Sequence, residues 1–152
     1  MQDLATTLPA ILGISMSLKP FLTARLPLPP GINHSYQIVR SRDGTRIADT
    51  AAARNFKEEA AIRLNMGAHD QAVIDAIRAS RRKVPLTLIQ HYYFPSLWKR
   101  DIDGGEKAVQ DAVFKHLGLN DTLVVDKHTT KEESDDPRVE IEVRCFLSVN
   151  AK

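Results

Sequence analysis

Residues 99–121 read KRDIDGGEKAVQDAVFKHLGLND, a stretch in which an acidic loop runs directly into an amphipathic helix. Apolar residues recur at helical spacing in its second half, at Ala108, Val109, Ala112, Val113 and Leu117. Gly118 comes next, and glycine is frequent just past the end of a helix. We therefore predict a helix that ends at Gly118, with Asp101 and Asp103 on the loop before it.

The segment before this loop has the pattern of a strand in the interior of a sheet. Residues 86–95 read LTLIQHYYFP, in which leucine, isoleucine and adjacent aromatic residues precede a proline. Near the start of the chain, FLTARLPLPPGIN (residues 21–33) predicts a short strand that ends at Pro29 and Pro30, because proline has no amide to donate to a ladder.

Two segments between these strands are predicted helices. Residues 49–66 are rich in strong helix formers, and Phe56, Ala60 and Leu64 mark one face. Residues 70–80 read DQAVIDAIRAS, with Asp70 at the predicted N-cap position.

The tail of the chain predicts two strands joined by the turn SDDP. Val139, Ile141, Val143, Cys145 and Leu147 alternate with mostly polar residues, so one face of the last strand is expected to be buried. The order β-α-α-β-α-β-β is typical of an α/β (α+β) domain in which helices pack against a mixed sheet.

Composition and charge limit the class of protein. A chain of 152 residues, 43% hydrophobic and 26% charged, suits one soluble domain, and a net charge of +2 does not by itself indicate a nucleic-acid partner. Residues 1–22 are expected to be an N-terminal extension and residues 23–152 the domain. The single cysteine favours a cytoplasmic protein.

The acidic loop is a candidate metal site. In extended chain the side chains of Asp101 and Asp103 leave on the same side, and Asp121 follows the helix. If the three carboxylates converge, their repulsion favours a divalent cation, and oxygen ligands alone favour Mg²⁺ or Mn²⁺. Such a site suits phosphodiester hydrolysis. Lys107, one turn into the helix, is a candidate partner for a phosphate or for transition-state charge.

Ordinary structural roles also explain these residues. Asp103 and Glu106 have the spacing of a capping box, Asp103 and Lys107 that of an i, i+4 ion pair, and Asp121 suits a turn. The local pattern alone leaves both interpretations open.

The wider chain resembles the RusA family of Holliday junction resolvases, metal-dependent endonucleases of phage and prophage origin. The resemblance rests on LPLPPGIN, on residues 99–121 and on the hairpin tail, over about residues 25–147. It implies that Asp101, Asp103 and Asp121 are catalytic residues that hold Mg²⁺, that Lys107 is the catalytic lysine, and that Asn33, after the diproline, is a site residue, which we place among the DNA contacts. Many members have Asn after the second aspartate, where this chain has Gly104.

The same resemblance implies a homodimer that binds a four-way DNA junction and makes paired symmetric nicks in recombination and repair. A two-fold dimer fits this substrate, because it presents one site to each of two opposed strands. For DNA contact the candidates are Lys99 and Arg100 beside the carboxylates, and Arg81 and Arg82 in a basic run, which is also explained as a solvated helix end.

Two other functions stay open. One is a junction-binding module without catalysis, in which Asp103 is only a cap, and the other is a nucleotide-sugar transferase, which usually needs a larger domain. Trp98 is a candidate for stacking at the junction centre. The five histidines, Cys145, Tyr92, Tyr93 and Phe94 are expected to be structural or surface residues.

Overall fold

The computed structural model describes residues 19–31 and 36–146. The main elements are the strands β1 (Leu22–Leu26), β2 (Tyr36–Ser41), β3 (Gly44–Asp49), β4 (Ala68–His69), β5 (Leu86–Phe94), β6 (Val124–Glu133) and β7 (Arg138–Cys145), and the helices α1 (Ala51–Met66), α2 (Gln71–Ala79) and α3 (Glu106–Leu117). A short 3-10 turn at Asp121–Leu123 precedes β6. The predicted α+β class is confirmed.

A mixed five-stranded sheet in the order β4-β1-β7-β5-β6 forms the centre of the domain. Strands β5 and β6 are parallel and are connected through α3, whereas the other neighbouring pairs are antiparallel. The acidic loop (residues 95–105) therefore lies where the chain leaves β5 and enters α3, at the carboxyl end of a central strand.

The core lies on one face of this sheet, under the three helices. Alternate residues of the central strands are buried, and they meet the apolar faces of α1, α2 and α3 in one cluster that also includes Phe21 and Leu22. The predicted buried face of β7 is confirmed for Val139, Ile141, Val143 and Cys145. Among the described residues, no helix is both long and apolar enough to cross a membrane.

Local sequence signals determine the helix ends. The Asp70 carboxylate accepts a hydrogen bond from the Val73 amide at 3.3 Å, which confirms the predicted N-cap of α2. Helix α3 stops at Gly118, which has a positive φ of 65°. Glycine adopts this conformation without the steric cost that other residues meet.

Two expectations about the strands were wrong or incomplete. Strands β6 and β7 do not form a hairpin, because β5 lies between them and pairs with both. Residues 36–49 form an additional hairpin, β2–β3, outside the main sheet, and the adjacent Asp43 and Gly44 at its turn are the signal that would have predicted it. The first strand is confirmed, but it ends at Leu26, before the prolines.

Candidate active site

The acidic loop is folded into turns where it carries its two aspartates, so the expected extended geometry is wrong. The Gly104 amide donates to the Asp101 carbonyl and the Glu106 amide donates to the Asp103 carbonyl, each at 3.4 Å. The capping interpretation is wrong as well, because Gly105 is the N-cap of α3 and no side chain caps it. In the described part of the chain, neither the Asp101 nor the Asp103 carboxylate has a hydrogen-bond or ion-pair partner.

A groove between α1 and α3, which we name the α1–α3 groove, runs beside this loop. It has a volume of about 450 Å³, and Asp103, Gly104 and Lys107 line one part of it. Its floor is largely apolar, with Phe56 and Ala108 among the lining residues. Thus Asp103 and Lys107 lie on the same concave surface, although they do not pair with each other.

Lys107 is exposed, and its ammonium lies 3.4 Å from the carboxylate of Asp111, one turn further along α3. The i, i+4 partner is therefore Asp111 and not Asp103. Exposed pairs of this kind contribute only about 0.3–0.5 kcal/mol, so the ammonium is easily drawn to an incoming anion.

Asp121 begins the turn after α3 and is half-buried. Its Oδ2 accepts a hydrogen bond from Gln110 Nε2 at 3.3 Å. Within residues 19–31 and 36–146, no group of three or more Asp, Glu, His or Cys residues is arranged to hold a metal. The structure therefore does not gather Asp101, Asp103 and Asp121 into a ready-made triad.

The chemistry of the donors nevertheless fits a hard cation. Asp101 and Asp103 are exposed oxygen donors that no other described group neutralises. Mg²⁺ commonly takes one or two protein carboxylates, with waters and substrate phosphates as its other ligands. A pair of free carboxylates beside an open groove meets that requirement.

A buried polar network under the start of α3 was not predicted. Gln90 is fully buried on β5, its Nε2 donates to the Glu106 carbonyl at 3.2 Å, and the Tyr92 hydroxyl donates to its Oε1. Burial raises the pKa of Tyr92, and the negative charge of Glu106 raises it further. A polar residue in the middle of an apolar strand was the signal in the sequence, since a buried amide requires partners.

Lys131 on β6 binds the backbone of the acidic loop through its side chain. Its ammonium donates to the Leu97 carbonyl at 2.7 Å and to the Arg100 carbonyl at 3.1 Å. It also lies 5.9 Å from the ring centre of Trp98. These contacts fix the backbone immediately before Asp101, and nothing in the local sequence of β6 indicated them.

Arg100 points into the protein, whereas Lys99 is exposed. The Arg100 guanidinium donates to the Pro29 carbonyl and lies 5.3 Å from the ring centre of Phe94. Burial lowers the pKa of Arg100. This contact connects residues 27–30 (PLPP), which we name the proline segment, to the acidic loop.

The basic run (residues 81–83) lies near Asp121. Arg81, Arg82 and Lys83 are exposed after the end of α2, and they line a shallow depression together with Asn120, the N-cap of that aspartate's turn, and Leu123, its last residue. Asn33 lies outside the described residues.

The other residues considered from the sequence have the following environments. Trp98 is 88% exposed. Burial raises the pKa of Cys145 to about 11, so its thiol is inert. Four histidines bind neighbouring carboxylates or each other, in the pairs His91 with Glu132, His128 with Asp126 and His69 with His116.

Comparison with known proteins identifies one family. Residues 27–144 match the family model described as endodeoxyribonuclease RusA. No curated protein sequence matches the chain significantly. Among solved structures, the 2C-methyl-D-erythritol 2,4-cyclodiphosphate synthase of Plasmodium vivax is similar over 82% of this chain and 90% of that chain, at 7% identity and a TM-score of 0.26, a likeness too weak to carry an argument.

Proposed function

Because the chain belongs to the RusA endodeoxyribonuclease family, we propose that it is a Mg²⁺-dependent nuclease that resolves four-way DNA junctions by paired symmetric nicks. The proposal includes a cytoplasmic homodimer acting in recombination and repair, with Mn²⁺ as an alternative cation. No membrane partner is part of it.

One observation carries the proposal. The matched segment contains a loop with two carboxylates that have no partner among the described residues, and Asp103 of that loop shares the α1–α3 groove with Lys107. The two exposed carboxylates repel each other and attract a cation, and the ammonium of Lys107, held only by an exposed pair with Asp111, is open to an anion. A metal-bound phosphodiester satisfies both.

The proposed chemistry divides the work among these residues. Bound Mg²⁺ would polarise the phosphodiester and provide a hydroxide-like water. Asp101 and Asp103 would hold it, with Asp121 as the third carboxylate of the proposed set. Lys107 would leave Asp111 for the phosphate oxygens and stabilise the negative charge that develops on them.

Positive residues would hold the DNA around this centre. Lys99 precedes the acidic loop, and Arg81 and Arg82 lie on the side of Asp121, so cations flank the carboxylates on two sides. Such contacts go mainly to phosphates and support recognition of junction shape rather than base sequence. Arg100, by contrast, would act through its contact with Pro29.

The test is a nicking assay on a four-way junction labelled on each strand in turn. With Mg²⁺ we expect symmetric nicks in two opposed strands, and no cleavage of a duplex of the same sequence. Asp101→Asn should retain junction binding and lose nicking. Asp135→Asn is the matched control, because it changes an exposed aspartate in the turn between β6 and β7.

The alternative function, a junction-binding module without catalysis, predicts tight binding with no nicking in Mg²⁺ or Mn²⁺. The suggestion that Asp103 is retained as a helix cap does not support this alternative, since Asp103 caps nothing in α3. Nicking by Asp101→Asn at the wild-type rate would contradict the assignment of the catalytic residues.

A further inference from the structure

The β2–β3 hairpin (residues 36–49), which we name the arm, lies outside the main sheet. Among the described residues, the polar contacts that anchor it lie at its base: the Asp49 carboxylate pairs with Lys57, and the Asp49 carbonyl accepts a hydrogen bond from Arg54 at 2.7 Å. A two-stranded hairpin alone in water is only marginally stable. No described side chain from residues 37–49 belongs to the apolar core cluster, so these residues have less apolar support than the strands of the main sheet.

The arm exposes two large apolar side chains at facing positions. Ile38 and Ile47 pair across the two strands, and they are 71% and 75% exposed. Facing residues of antiparallel strands have neighbouring side chains, so the two isoleucines form one patch. Single exposed apolar residues need no explanation, but a paired patch on a projecting element indicates a contact surface.

The charge of the arm favours a polyanion as its partner. Arg40 lies on the same face of the hairpin as Ile38, Arg42 lies in the turn and Arg46 lies on the opposite face, and among the described residues none of the three has an ion-pair or hydrogen-bond partner for its side chain. A two-fold contact between the isoleucine faces of two arms would place a copy of Arg40 on each side of one apolar contact, which is unfavourable. DNA phosphates, on the other hand, are complementary to all three.

The position of the arm connects it to the candidate active site. Asp49, at the base of the arm, lines the same α1–α3 groove as Asp103 and Lys107. A DNA strand held at the acidic loop would therefore have the arm beside it.

We propose that the arm contacts the branch point of the DNA, with Ile38 and Ile47 packing on unstacked bases and the arginines holding the flanking phosphates. This inference rests on the proposed function. Apolar side chains are used in this way where bases are unstacked, and intact duplex offers no such faces. The isoleucines would thus recognise branched DNA, whereas the arginines would bind any DNA.

The test measures binding of a four-way junction and of a matched duplex by fluorescence anisotropy in EDTA, which separates binding from cleavage. The variant Ile38→Thr/Ile47→Thr keeps β-branched residues in both strands, so the hairpin is expected to remain folded. We expect about a tenfold loss of junction affinity, by the loss of apolar burial, and no change with duplex. Ile62→Thr, at an exposed position on α1, is the matched control.

The arginines are tested by the salt dependence of duplex binding. The slope of the logarithm of the duplex binding constant against log[salt] is negative. Each of Arg40→Gln, Arg42→Gln and Arg46→Gln should make its magnitude smaller by about 0.9, the value for one phosphate contact. Arg63→Gln, at the other end of α1, should not change it.

Circular dichroism melts verify that each variant is folded. Equal junction affinity for wild type and the double isoleucine variant would overturn the inference, even if the junction is nicked normally. A change in the oligomeric state of that variant, with junction affinity intact, would also overturn it in favour of a second copy. If the wild type binds the junction but never nicks it, and the double isoleucine variant loses junction affinity, the proposed role of the arm is supported and the proposed nuclease activity is contradicted.

Discussion

The ring of Pro29 packs directly against Gly105, at the point where the acidic loop becomes α3. A Cβ added to Gly105 would lie 2.2 Å from Pro29 Cγ, which is far inside contact distance. The contact brings the proline segment, from the start of the chain, against the helix that carries Lys107. It also explains one of the two glycines that follow the aspartates.

Gly105→Ala is expected to displace the proline segment or the start of α3. Overpacking of this size typically costs about 1–3 kcal/mol, so the free energy of unfolding in urea should fall by that amount and nicking should slow. Gly104→Ala is the matched control, since its Cβ would meet only the Asp101 carbonyl at 3.5 Å and its φ is not positive. Equal effects of the two substitutions would contradict this account.

Lys131→Met should loosen the acidic loop by removing the donor to the Leu97 and Arg100 carbonyls. Because these contacts position the aspartates without touching DNA, we expect kcat for junction nicking to fall about tenfold or more, with KM nearly unchanged. Lys131→Arg should restore part of the rate. A rise in KM with an unchanged kcat would show that Lys131 instead contributes to binding.

Lys107→Met is expected to slow nicking by about a hundredfold or more, because a cation fixed near the transition-state charge is worth that much in other hydrolases. Junction affinity should change little, as one exposed lysine contributes only one phosphate contact. Lys115→Met is a suitable comparison, since Lys115 is on the same helix and lines the same α1–α3 groove. The measurement is single-turnover nicking.

The histidine pair between β4 and α3 should make stability depend on pH. His69 donates from Nδ1 to the Gly67 carbonyl, which leaves its Nε2 to accept from His116 at 2.8 Å. Burial lowers the pKa of His116, and the nearby His69 and Arg78 lower it further. As the pH falls below about 6.5, the His116 side chain therefore binds a proton more readily in the unfolded chain than in the folded one.

The resulting stability is complete above about pH 6.5 and is lost as the pH falls towards the lower pKa of the folded protein. Urea unfolding at pH 7.5 and 5.5 should show this loss in the wild type and a smaller one in His116→Gln. The carboxyl groups of Asp126 and Glu132, whose pKa values are lowered, titrate below this window. Equal losses in both proteins would exclude His116 as the cause.

The hairpin β2–β3 was missed although its signal was in the sequence. Residues 36–49 carry adjacent Asp43 and Gly44 between two β-prone stretches, a pattern that favours a tight turn between strands. The separation of β6 from β7 had no such signal, because a turn sequence shows where the chain reverses and not which strand it then joins. Two polar residues of the site show the same difference. Gln90 is recognisable in the sequence as a polar residue in an apolar strand, whereas nothing in the local sequence indicates the contacts of Lys131.

The sequence by itself determined the helices, the helix stop at Gly118, the buried face of β7 and the family, since periodicity, caps and motifs involve residues close together in the chain. Only the tertiary structure decided that Gly105 must be glycine, that Lys131 holds the acidic loop, and that Asp49 and Asp103 line one groove. These relationships join residues dozens of positions apart. The packing of the whole chain determines such distances, so no local pattern encodes them.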